Sequence, residues 1–164
     1  MAALRAPMAG PYVYENHFDV PPDYAAKWLT DFRADDGQRY FGNKNTVTIT
    51  RKGNEIHNEG PHPMGWAKGV AIIDSPTSWH ATTEFSKAKG SPPTGTGAVK
   101  ETVRPDGSGT LHRAEITFEP SGIGMKVMFA LMGRSMMDKS LKAGFAKMKE
   151  EIEASFKAGK PPTS

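Results

Sequence analysis

The 164-residue chain contains no cysteine. Disulfides, thiolate metal sites and thiol catalysis are therefore excluded, and the main sequence argument for secretion goes with them. Long apolar runs are missing too. The longest, Val127 to Met132, has six residues, against the roughly 20 that a membrane-spanning helix needs. The opening MAALRAPMAG lacks the apolar centre of a signal peptide. Charge of one sign is scarce. The 21 basic and 18 acidic residues leave a net charge of +3, and nucleic-acid binding usually needs a concentrated basic patch rather than a small excess. There is no G-x-S-x-G nucleophile motif and no G-x-x-x-x-G-K-[ST] phosphate loop. The GTGAV at Gly95 to Val99 lacks both the dinucleotide-binding spacing and a following helix. The expectation is a soluble, cytoplasmic protein with no nucleic-acid partner, no transmembrane segment and no cofactor.

Hydrophobic residues make up 37% of the chain, enough for one domain with a full core. Residues 1–10 read as a flexible arm, 11–157 as the domain and 158–164 (AGKPPTS) as a disordered tail. Pro11 to Asp19 suits a strand. Pro21-Pro22-Asp23 then opens a helix, because proline is tolerated in a first turn and an acid suits the positive end of the helix dipole. Ala25, Trp28, Leu29 and Phe32 follow at helical spacing. Asp35 to Phe41 reads as a second short helix. From Thr46 to Glu119 the period falls to two, as in strands. The segments are Thr46–Thr50, Glu55–Asn58, Trp66–Asp74, Ser78–Ser86, Ala98–Val103 and Thr110–Glu119. The Gly/Pro-rich stretch from Lys87 to Thr96 reads as a long loop, either a lid or a loose hairpin end. Ile123 to Lys157 is expected as one long helix with Leu141, Phe145, Met148, Ile152 and Phe156 along one stripe.

This order, and three local segments, resemble the START/SRPBCC superfamily, the helix-grip proteins that include pollen-allergen-like and polyketide cyclase-like members. DVPPDYAAKWLTDF resembles the family's entry into its first helix. GVAIIDSPTSWHATTEF resembles its strand–proline–strand hairpin. ITFEPSGIG, followed by a helix ending in AGFAKMKEEIEA, resembles its last strand and closing helix. The resemblance implies an α+β fold, with a curved antiparallel sheet wrapped around a long C-terminal helix and two short helices after the first strand. It also implies a cavity between sheet and helix for a lipid-, sterol- or polyketide-like molecule.

The most informative stretch is MKVMFALMGRSMM, from Met125 to Met137, with five methionines in thirteen residues. Methionine is flexible and polarisable, and it lines surfaces that adapt to varied apolar shapes. Met125, Met128, Phe129, Met132 and Met136 share a helical face, rotated by roughly half a turn from the later Leu141 stripe. Three arrangements satisfy this: a helix break near Gly133, a segment covered on both sides, or a Met face open to a ligand, membrane or partner. The segment from Met125 to Lys160 is also basic, with eight Lys or Arg against four Asp or Glu, so peripheral contact with an anionic membrane is a further reading.

Tyr40, Phe41, Trp66 and Trp79 are candidates for the rest of a pocket wall, since Tyr and Trp join apolar area to one polar group. Strand alternation places His112 with Ala114, Ile116 and Phe118 on the more apolar, concave face, and Arg113 with Glu115 outward. His112 and Tyr40 are the candidates for acid/base chemistry if the protein is a cyclase- or dehydratase-like enzyme. His80 and Glu84 read as an exposed polar pair. His57 and His62, in EIHNEGPHP, match no zinc spacing, and Pro61 and Pro63 place them in a loop. No metal site is expected.

Overall fold

A computed structural model describes residues 9–63 and 65–163, apart from the side chains at 9, 128 and 132–134. Strand β1 (Ala9–Phe18) leads through Asp19 to Pro21 into helices α1 (Pro22–Leu29) and α2 (Asp36–Tyr40). Five strands follow the helices without interruption: β2 (Thr48–Lys52), β3 (Glu55–His62), β4 (Gly65–Ser75), β5 (Ser78–Ser86) and β6 (Pro93–Asp106). Strand β7 (Gly109–Pro120) then returns beside β1, giving one antiparallel sheet in the order β1-β7-β6-β5-β4-β3-β2. The chain ends in α3 (Ile123–Met128) and α4 (Arg134–Lys157).

The expected order holds, with three corrections. The C-terminal helix is not one continuous α-helix. Phe129–Gly133 form a π-helical turn between α3 and α4. A π turn inserts residues into the α-helical period and shifts the faces that follow it. It changes the register of Met125 on α3 relative to the Leu141 stripe, whereas Met136 and Leu141 both lie beyond it on α4. Second, β6 begins at Pro93, so the loop after β5 is short, and it ends a hairpin. Third, β3 extends to His62 through Pro61. Strand β2 pairs only with Glu55–Glu59, so at Pro61 the strand has a neighbour on one side only. There the missing N–H removes no ladder bond.

Alternation decides what faces the helix. On β1, Tyr12, Tyr14 and Phe18 are buried; on β7, Ala114 and Ile116 are buried with His112. Phe145 of α4 fills the space against Tyr12, Tyr14 and Ile116. Ile152, one stripe further along α4, packs with Phe18, Val20, Ala25, Trp28 and Tyr40. Arg113 lies on the opposite face, bonded to Glu15 at 2.9 Å and to Glu115 at 2.9 Å. Helix and sheet are also tied by polar contacts. The Tyr14 hydroxyl donates to Asp138 at 3.0 Å, and the Asp19 amide donates to Glu153 at 2.9 Å. The Tyr24 hydroxyl donates to the Lys160 carbonyl at 3.0 Å.

Gly144 is where α4 meets α2. A Cβ there would stand 2.7 Å from the Tyr40 carbonyl oxygen and 2.7 Å from a Phe41 ring carbon. Gly144→Ala would gain about 1 kcal/mol of helix propensity, but the backbone oxygen cannot yield cheaply, and overpacking costs about 1–3 kcal/mol. A net destabilisation is expected, read as a lower denaturant midpoint at unchanged m-value.

Candidate functional site

A cavity of about 460 Å³ lies between the sheet and the first turns of α4. The sheet supplies Thr83, Phe85, Gly97, Val99, Ile116 and Phe118; α4 supplies Met136, Met137, Ser140 and Leu141. Phe41 and the His62–Pro63 corner complete the wall. The volume falls within the range of small-molecule sites, and the lining is mostly apolar, as such sites are.

One row of the sheet beside the cavity is thinned. Asn58, Gly69, Thr83, Gly97 and Phe118 are aligned across five strands. Two of the five have no side chain. A Cβ on Gly97 would come within 3.1 Å of Phe85 and 3.3 Å of Phe118. A Cβ on Gly69 would come within 2.8 Å of Asn58 Oδ1 and 3.0 Å of Thr83 Oγ1. The glycines therefore let the aromatic rings and polar groups sit close to the sheet and leave space above them.

A second, smaller chamber of about 240 Å³ shares His62, Thr83 and Phe85 with the first. Its other walls are Phe32, Arg33, Asp36, Gly37, Asn43, Val47, Ile49, Asn58, Pro61 and Ala67. Phe32 has a φ of +44°, strained for a side chain of its size. Its ring is held against the Ala26–Trp79–Val103 cluster. Asn43 donates from Nδ2 to the Pro61 carbonyl at 3.3 Å, and its Oδ1 is buried without a partner among the described residues.

Of the residues read as pocket candidates, Phe41, Phe118 and Met136 line the larger chamber. Phe129, in the π turn, sits 6.0 Å from the Phe118 ring. Met125 is half-buried on α3. The side chains of Met128 and Met132 lie outside the described residues. Trp79 is 1% exposed and packs with Ala26 and Val103 in the core. Trp66 alternates with the exposed Lys68 on the outer face of β4, where its Nε1 donates to Glu59 at 3.2 Å. Residues that the sequence reading did not single out as pocket wall include His62, Thr83, Phe85, Val99, Met137 and Leu141. Phe85 and Val99 carried a usable signal, since they lie on inward-facing positions of strands that alternate clearly.

The two acid/base candidates are set in the core beside the cavity. His112 is fully buried between Phe18, Trp79 and Phe145. Its Nε2 lies 2.7 Å from Glu101 Oε2 and its Nδ1 lies 3.4 Å from Asn16 Nδ2. An amide nitrogen can only donate, so Nδ1 accepts and Nε2 carries the proton directed at Glu101. The Tyr40 hydroxyl donates to Glu151 on α4. Burial first, and the Glu151 hydrogen bond and charge next, push the Tyr40 phenol well above its ordinary value. Neither residue lines either chamber. His80 pairs with Asp74 at 2.8 Å rather than with Glu84, and His57 lies 3.1 Å from Glu55. No group of three or more His, Asp or Glu side chains that could hold a metal occurs among the described residues.

His62 is the titratable histidine on the chamber wall, its ring 4.9 Å from that of Phe85. Burial pulls its pKa below the ordinary 6.5, because desolvation penalises the imidazolium. The unfolded chain takes up this proton first as pH falls. Folding stability should therefore decline below about pH 6.5, until the folded pKa is passed. His62→Phe should flatten that part of the stability–pH curve, measured by urea denaturation between pH 5 and 7.

No family model and no curated protein sequence matches the chain. Solved structures do. TTHA0849 from Thermus thermophilus superposes with a TM-score of 0.66 at 12% identity, covering 91% of this chain and 99% of that one. Ara h 8.0201 gives 0.54 at 13% identity, covering 87% and 97%. The di-domain ARO/CYC StfQ from the steffimycin biosynthetic pathway gives 0.59 at 13% identity, covering 90% of this chain and 52% of StfQ. Identities this low establish a shared fold and leave function to the site itself. The chain has the helix-grip fold, as the START/SRPBCC resemblance implied.

Proposed function

We propose that this protein binds a small hydrophobic molecule in the chamber between the sheet and α4. The observation that carries the proposal is the 460 Å³ cavity with its wall of Phe41, Phe85, Val99, Ile116, Phe118 and Leu141. Affinity comes from apolar burial, about 25 cal/mol per Å² removed from water. Met136, 59% exposed, and the exposed Ser140 form the rim. The flexible thioether of Met136 suits a rim that yields to ligands of different shape. Carriage or sensing is favoured over cyclase- or dehydratase-type turnover because His112 and Tyr40 are enclosed by packing and already hydrogen-bonded. Native mass spectrometry of the protein purified from cells, followed by solvent extraction, tests this reading. A co-purifying apolar molecule is expected, and a pure apo mass that apolar probes leave unchanged contradicts it.

One observation favours a second reading, contact with an anionic membrane. Ile123 is 83% exposed, Val127 51% and Leu131 78%. They recur every fourth residue along α3 and the π turn, with Lys126, Lys139 and Lys142 nearby in sequence. An apolar stripe beside basic residues suits an anionic lipid surface. No helix among the described residues is long and apolar enough to cross a membrane. Leu131→Glu should weaken co-sedimentation with vesicles containing phosphatidylserine. Equal sedimentation of the wild type with neutral and anionic vesicles removes this reading.

A further inference from the structure

The smaller chamber differs in chemistry from the larger one, and the difference bears on the ligand. This inference rests on the ligand-binding reading above and narrows it. The two chambers share Thr83, His62 and Phe85 as lining, so they adjoin. The larger is lined mostly by apolar side chains. The smaller presents the Asn58 amide and the Thr83 hydroxyl together above Gly69, where their oxygens lie 2.8 and 3.0 Å from the position a Cβ would take. An amide and a hydroxyl both donate and accept.

The charged groups around this chamber are already balanced. Arg33 lies 3.2 Å from Asp36 and 4.0 Å from Asp31, and Arg51 lies 3.9 Å from Asp31. The Arg33 guanidinium also lies over the Trp28 ring at 4.4 Å. Arg33, the arginine on the chamber wall, is thus already paired with a carboxylate on the same wall. His62 favours its neutral form under burial.

We propose that the ligand is an apolar body carrying an uncharged hydroxyl, seated with the hydroxyl between Asn58 and Thr83, and that carboxylates of the same shape are excluded. A site built to hydrogen-bond a hydroxyl discriminates strongly against a partner that leaves its polar groups unpaired. A charged group buried without a counter-ion is worse still.

The test uses three probes of one shape: naphthalene, 2-naphthol and 2-naphthoate, titrated at pH 7.5 by calorimetry or fluorescence. The expected order of affinity is naphthol, then naphthalene, then naphthoate, with naphthol about tenfold tighter than naphthalene. Thr83→Val should remove most of the naphthol advantage over naphthalene. Asn58→Leu should do the same, and gives an independent reading if one variant folds poorly. Naphthoate binding as tightly as naphthol overturns the proposal, as does naphthalene binding with no gain for naphthol. Failure of all three probes to bind overturns the cavity reading, and this proposal falls with it.

Discussion

Replacing Val99 with tryptophan should reduce binding of an apolar probe at least 30-fold while the protein stays folded. Val99 is half-buried on the cavity side of β6 and touches the space directly. The added indole would enter the 460 Å³ chamber instead of a packed core, so the usual penalty for overpacking, about 1–3 kcal/mol, should be largely avoided. Burying apolar surface in the void can even stabilise the protein. Loss of binding with an unchanged or raised Tm assigns the space to the ligand. If binding survives within threefold, the ligand lies elsewhere on the molecule.

The second large effect concerns stability. Glu101→Leu should cost about 2–3 kcal/mol, because it leaves the Nε2 proton of a fully buried His112 without an acceptor. In a domain of this size that lowers Tm by roughly 5–10 °C. The partner change decides the mechanism. His112 lies against Phe18, Trp79 and Phe145 with ring separations of 5.7, 6.3 and 5.7 Å. A phenyl ring fits that setting, so adding His112→Phe to Glu101→Leu should recover part of the loss. A double-mutant cycle by denaturant titration reads this coupling. If the double variant is no more stable than Glu101→Leu alone, the cost comes from Glu101 packing and not from the stranded imidazole. The same cycle bears on function. A buried, hydrogen-bonded histidine in an aromatic setting serves the core, and probe affinity should change far less than stability does.

Much of the architecture is legible from local signals. The proline-led start of α1, the period-two run from Thr46 to Glu119 and the stripe through Phe145 and Ile152 each report a backbone geometry and a buried face. Alternation placed His112 inward and Arg113 outward, as found. The signals that failed were tertiary. Pro61 reads as a loop residue until the short β2 shows that the strand beside it has only one neighbour there. The π turn at Phe129–Gly133 has no pattern of its own in the sequence, where a helix break near Gly133 is one of several arrangements that fit.

The site was harder to read than the fold. Aromatic residues suggest a pocket wall by composition, yet Trp79 and Tyr40 fill core while Phe41 and Phe118 line the cavity. Between the two sheet residues, Phe118 lies opposite Gly97 and Trp79 lies between Ile73 and Glu101. Gly69 and Gly97 contribute to the site by leaving space, and no property of a glycine in a sequence announces a cavity. The polar chamber was equally hidden, since Arg33, Asp36, Asn43 and Asn58 come together from two loops and two elements.

The most direct test of the central claim is a methyl-resolved NMR titration with naphthalene, an uncharged probe with no hydrogen-bonding group. The account predicts saturable shifts confined to Val99, Ile116, Leu141, Met136 and Met137, with methyl groups on the outer face, such as Val70, unmoved. Absence of saturable shifts, or shifts centred on Ile123 and Leu131 with the cavity methyls unchanged, would contradict it.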